Sequence, residues 1–117
     1  MNPKFEELNV TFSTADVSSL SIVYSERALT VVFANWQGTK SIVVFEQVAA
    51  YKWDESSFEH IDASPDRTYR VHESEWLRRW PENVGYTHYA LGFCGLAPIS
   101  TGYLEVICKT MRTQTKQ

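Results

Sequence analysis

The sequence predicts a mainly β fold of the α+β kind: a twisted antiparallel sheet of about six to eight strands, bent into a sandwich or partial barrel, with one short helix near 74–80. Three observations lead there. Apolar and polar residues alternate with period two along consecutive runs, polar turn sequences punctuate those runs, and a single stretch shifts to helical spacing.

The runs Ser18–Ser25, Ala28–Trp36 and Lys40–Val48 organise the rest. In the first, Leu20, Ile22 and Tyr24 alternate with serines; in the second, Leu29, Val31 and Phe33 alternate with Thr30, Val32 and Ala34. A turn at Glu26–Arg27 sets Tyr24 against Leu29, Ile22 against Val31 and Leu20 against Phe33, all on one face. A slip of one residue would turn that whole apolar set to the other face, so the register is strongly specified. The next turn, Asn35-Trp36-Gln37-Gly38-Thr39, supplies a Gly and an Asn that tolerate positive φ. Beyond it, Ile42 and Val44 face one way and Val43 and Phe45 the other. A strand with no polar face is expected to be central and covered on both sides.

Taken in order, the remaining elements are less regular. Residues 1–4 and 112–117 read as frayed ends, and from Phe5 the alternation of Leu8, Val10 and Phe12 with Asn9, Thr11 and Ser13 reads as a first strand. Val48–Trp53 continues the third strand after a bulge or forms a fourth. The stretch Asp54–Asp66 holds Asp54, Glu55, Glu59, Asp62 and Asp66 with no Lys or Arg, and reads as a long surface loop. Arg67–Val71 is a short strand. In His72–Pro81 the period changes: Trp76, Leu77 and Trp80 share one side of a helix, Ser74 is its N-cap, Glu75 suits its start and Arg78 and Arg79 its end, and Pro81 limits it. The strands Tyr86–Phe93 and Gly102–Thr110 then form a second hairpin. In the first of these Tyr89, Leu91 and Phe93 share one face and Tyr86, His88 and Ala90 the other; in the second Leu104, Val106 and Cys108 face one way and Tyr103, Glu105 and Ile107 the other.

Length and composition narrow the class. A chain of 117 residues suits one globular domain, 1–117, and an apolar fraction of 44% argues against general disorder. No apolar run reaches the length of a membrane span and the N-terminus lacks the order of a signal peptide, so the expectation is a cytoplasmic protein without membrane contact. A net charge of −3 argues against nucleic-acid binding. Cys94 and Cys108 read as buried reduced thiols, and neither has a Cys or His at ligand spacing, so no metal or cofactor is expected.

Chemistry is thinly signalled. His60, His72 and His88 are available, and His72 could join Glu73, Glu75 or His88, but the i, i+4 histidine pair of a helical zinc site is missing. There is no Gly-x-Ser-x-Gly elbow and no phosphate-binding glycine pattern, and Cys94 with His88 as base lacks support from spacing. The leading expectation is a non-catalytic interaction protein, of the inhibitor or immunity kind found among small acidic bacterial proteins. It would bind a basic protein partner through Trp36 and the acidic residues Asp54, Glu55, Glu59, Asp62 and Asp66. A second is a small-molecule-binding β domain with a pocket lined by Trp76, Trp80 and Tyr86. A hydrolase using a His/carboxylate pair ranks last. Homodimerisation through an open edge, Leu8–Ser13 or Tyr86–Phe93, is compatible with all three.

Overall fold

The computed structural model describes residues 4–10, 13–54, 67–72, 74–79, 85–93 and 102–116. In order they form β1 (Lys4–Glu7), β2 (Val17–Ser25), β3 (Ala28–Asn35), β4 (Lys40–Glu46), β5 (Ala50–Asp54), β6 (Thr68–His72), α1 (Glu75–Arg78), β7 (Thr87–Phe93), β8 (Gly102–Cys108) and β9 (Thr110–Lys116). Two antiparallel sheets result, one ordered β1-β6-β7-β8-β5 and the other β2-β3-β4-β9. Among the described residues no helix is long and apolar enough to cross a membrane.

The β2–β3 hairpin adopts the register that its apolar pattern demands, with Tyr24 opposite Leu29, Ile22 opposite Val31 and Leu20 opposite Phe33. Its two-residue turn places Glu26 at φ 51° and Arg27 at φ 65°, the doubly left-handed form whose twist matches that of the flanking strands. Neither residue is Gly, so the turn is bought with backbone strain. The inward faces of both sheets meet in one core. Val17, Leu29, Val31, Phe33, Val43 and Phe45 come from one side, and Leu91, Phe93, Leu104, Val106 and Cys108 from the other. Phe33 packs edge-on against Phe93 across the gap, with centroids 5.2 Å apart at 78°. Trp53 leans on the same Phe93 and lies so close over Gly102 that a Cβ there would overlap its indole. On the outer face of the five-stranded sheet a second cluster joins Tyr69, Val71 and Ala90 to Phe5.

Several expectations are corrected. The first strand, expected from Phe5 to Ser13, is Lys4–Glu7, paired with β6, and the described residues 8–10 and 13 of its expected continuation carry no regular structure. The polar C-terminal stretch pairs along β4 as β9, from Lys40 opposite Lys116 to Glu46 opposite Thr110, instead of fraying; backbone pairing needs no apolar alternation. Tyr86–Phe93 is not an edge, because β6 and β8 flank β7 on both sides. The second hairpin joins the opposite sheet, not the first. On β4 the inner face is buried, whereas Ile42 and Val44 on the outer face are half-buried, with no element of the described residues laid over them. The helix is shorter than 74–80, ending at Arg78 with Arg79 as its C-cap.

The topology gathers the connections at two ends. Residues 8–10 and 13–16, the β3–β4 turn, and the flanks of segments 55–66 and 94–101 share the end near Phe33 and Phe93. The β2–β3 turn, α1 and the short links before β5 and β9 share the other. Replacing Glu26-Arg27 by Asn-Gly, which removes the strain of two left-handed non-glycine residues, should raise stability in urea unfolding by about 1 kcal/mol. A loss of stability would be incompatible with this turn geometry.

Candidate functional site

The first candidate is built on the β3–β4 turn. The Asn35 side-chain Oδ1 accepts from the backbone N–H of Gln37 and of Thr39, each at 3.0 Å. Backbone bonds from Gly38 N to Asn35 O (3.0 Å) and from Asn35 N to Thr39 O (3.1 Å) close it further. Gly38 takes φ 85°, which its missing Cβ permits. The hydroxyl of Ser18 in β2 donates to the Ala34 and Asn35 carbonyls and ties the tip to its neighbour. On this braced turn Trp36 is 65% exposed. Leaving that fraction of an indole in water forgoes roughly 3 kcal/mol of burial free energy.

The acidic stretch leaves and re-enters the sandwich at the same end. Asp54, exposed, ends β5 opposite Tyr103, and Arg67, which precedes β6, accepts through its carbonyl from Gly92 N. Glu55, Glu59, Asp62 and Asp66 lie outside the described residues. An open cleft of about 480 Å³ adjoins Arg67, lined by Glu7, Leu8, Asn9, Val10, Ser13, Thr14, Ala15, Arg67 and Thr68. Arg67 and Glu7 pair at its wall at 2.9 Å, and the buried hydroxyls of Thr14 and Thr68 have no hydrogen-bond partner. Sequence reasoning missed this cleft, because nothing in the alternation of Leu8–Ser13 shows that the chain there departs from the sheet.

The second candidate lies on the outer face of the five-stranded sheet, beneath α1. Ser74 Oγ stands 2.6 Å from His88 Nδ1, His88 Nε2 stands 2.9 Å from Glu105 Oε1, and Lys52 Nζ is 3.5 Å from Glu105 Oε2. The Glu105 carboxylate can only accept, so Nε2–H donates to it; in that neutral tautomer Nδ1 accepts the Ser74 hydroxyl proton, while Ser74 Oγ accepts from the Leu77 N–H as the helix N-cap. Trp76 closes the row, edge-on to the His88 ring at 5.2 Å, with Lys52 over its face at 4.6 Å.

A hydroxyl, an imidazole and a carboxylate in sequence have the makings of a nucleophile, a base and an orienting group. Here, however, Ser74 and His88 are each only 5% exposed, and the serine oxygen is engaged on both sides. The row therefore fixes α1, a single turn with no buried residue of its own, to the sheet. His72 contributes nothing to it: it lies on the opposite face of the sheet and bonds Glu6 Oε1 at 2.6 Å instead of Glu75 or His88. Glu73 lies outside the described residues.

The residues expected to line an aromatic pocket have other attachments. Trp76 belongs to the row just described, Tyr86 receives a hydrogen bond from Arg27 Nη2 at 3.3 Å with Lys109 over its ring, and Trp80 lies outside the described residues. Cys108 is a buried free thiol whose pKa burial pushes up to about 12, so it is inert as a nucleophile at neutral pH. Cys94 and His60 lie outside the described residues. Among the described residues no group of three or more His, Cys, Asp or Glu is placed to hold a metal ion.

Burial raises the pKa of Glu105, but its bonds and charge contacts with His88 and Lys52 outweigh that and hold it below the usual carboxylate value of 4.5. A folded-state pKa below the unfolded one stabilises the protein above the unfolded value, and this contribution is lost as pH falls through the folded one. Glu105→Gln should therefore flatten the acid limb of stability against pH, while costing about 1.5–3 kcal/mol near neutrality through the lost charged hydrogen bonds. An unchanged acid limb in urea titrations would exclude this carboxylate as its source. No model of a known family, no curated protein and no solved structure matches this chain.

Proposed function

We propose that the chain is a non-catalytic interaction module, of the inhibitor or immunity kind, that captures a basic protein through the end of the sandwich bearing Trp36. One observation carries the reading: a large apolar side chain is held in water on a turn made rigid by its own hydrogen bonds. Such an anchor loses little conformational freedom on docking, and tryptophan is enriched among residues that dominate interface energies. Charge supports the choice of partner. The stretch 54–66 carries five carboxylates and no Lys or Arg, and its described flanks emerge beside the same loops, where it would steer a cationic surface.

A small-molecule reading is supported by the cleft between Glu7 and Thr68, whose wall includes two partnerless hydroxyls. Among the described residues its lining is mostly polar and includes no aromatic residue, which favours a small polar ligand over a ring stacked on tryptophan.

Capture from the native lysate by tagged protein at low and high salt, read by native mass spectrometry, tests the main reading. The expected outcome is a stoichiometric basic protein that is released by salt. Trp36→Ala should lower the affinity by about thirtyfold, equivalent to 2 kcal/mol, while changing folding stability by less than about 0.5 kcal/mol. Equal capture by wild type and Trp36→Ala would overturn the anchor, and salt-independent capture would overturn the role of the carboxylates.

A further inference from the structure

The two sheets leave edges β2 and β5 side by side on one flank of the sandwich, where Tyr24 of β2 stacks on Tyr51 of β5 at 5.3 Å. Among the described residues four large hydrophobic side chains are exposed, and three of them, Val23, Tyr24 and Tyr51, are on this flank. Among the described residues no further strand pairs with the β2 edge. β2 runs for nine residues without a charge or a proline, whereas β1 carries Lys4, Glu6 and Glu7, β5 carries Lys52 and Asp54, and β9 carries Arg112 and Lys116. Charges, prolines, shortness and bulges are the usual means of blunting an open edge, and β2 has only an irregularity between Val17 and Ser19 at its start, with none of them from Ser19 to Ser25.

We infer that β2 is the pairing edge of a homodimer, in which a second copy of the chain adds its own β2 antiparallel across a two-fold axis. The hydrogen-bonding phase of the strand sets how it pairs. In a two-residue hairpin the residues flanking the turn, Ser25 and Ala28, exchange both backbone bonds. Alternation then directs the N–H and C=O groups of Leu20, Ile22 and Tyr24 outward. Pairing centred on Ile22 sets Leu20 of each copy opposite Tyr24 of the other and covers the apolar flank. It also brings the Glu26–Arg27 turn of each copy, which has no net charge, to the Asp16 end of the other. Self-pairing through β2 apposes no like charges between Val17 and Ser25. The two four-stranded sheets become one of eight, and the Trp36 ends remain outside the interface.

Sedimentation equilibrium over a dilution series tests this, together with amide exchange followed by NMR. The wild type should approach twice its 13.5 kDa chain mass as concentration rises, with the Leu20, Ile22 and Tyr24 amides gaining protection in step. Tyr24→Pro removes an outward N–H without touching the β2–β3 ladder and should raise the dissociation constant by tenfold or more, equivalent to about 1.4 kcal/mol. Its fold is checked by the dispersion of the remaining amides. A wild type that stays monomeric at every concentration overturns the inference. So does a dimer in which those three amides exchange freely, which would place the interface elsewhere. A non-identical protein protecting the same amides in place of the second copy would overturn it equally.

Discussion

The edge-on contact of Phe33 with Phe93 is the constraint on which the rest of this structure depends. Each ring comes from the inward face of a different sheet, so their contact locks the two sheets face to face. It also locks them end to end. With Phe33 two residues before Asn35 and Phe93 next to segment 94–101, the contact decides which connections share an end of the sandwich. Trp53 leans on the same Phe93 and over Gly102, which fixes the last turn of chain before the acidic stretch. A different side chain at Gly102 would push that indole out and move the flank of the acidic segment with it.

Because function-bearing loops ride on a rigid scaffold, this alignment has a chemical consequence. The Trp36 turn, Asp54 and the cleft beside Arg67 are far apart in sequence but become neighbours at one end. The opposite end holds α1, where polarity is spent on structure. A one-turn helix cannot persist alone, and the row Ser74, His88, Glu105 and Lys52 supplies the anchorage that its apolar surface lacks. Every polar atom of the row that hydrogen-bonds does so to another member or to the helix backbone, which is how so polar a group is tolerated under a helix. The same bonds engage both its serine and its imidazole in holding the helix.

The two candidate sites differ in how far they could be read from residues alone. Trp36 stood out because a large aromatic between Asn35 and Gln37, in a turn with Gly38, has few neighbours to bury against, and it is indeed exposed. The His88–Glu105 pair did not stand out. Both residues fall on the same face of their strands by alternation, which is visible in the sequence. Their contact depends on the offset between β7 and β8, set by the length and path of residues 94–101, and alternation says nothing of that. The cleft beside Thr14 was hidden for a related reason, since Leu8–Ser13 alternates like a strand, whereas the described residues 8–10 and 13 carry no regular structure.

By itself the sequence determined the class of the fold, the register of the β2–β3 hairpin, the inner and outer faces of β7 and β8, and Ser74 as the cap of a short helix. These are local matters: side-chain period, turn chemistry and capping act over a few residues, and each is decided by the residues concerned. Only the tertiary structure decided that the hairpins divide between two sheets, that the polar C-terminal stretch pairs with β4, and that β2 and β5 are adjacent sheet edges among the described residues. Strand pairing between distant segments is carried by backbone groups that every residue shares, so the choice of partner is made by the packing of the whole core.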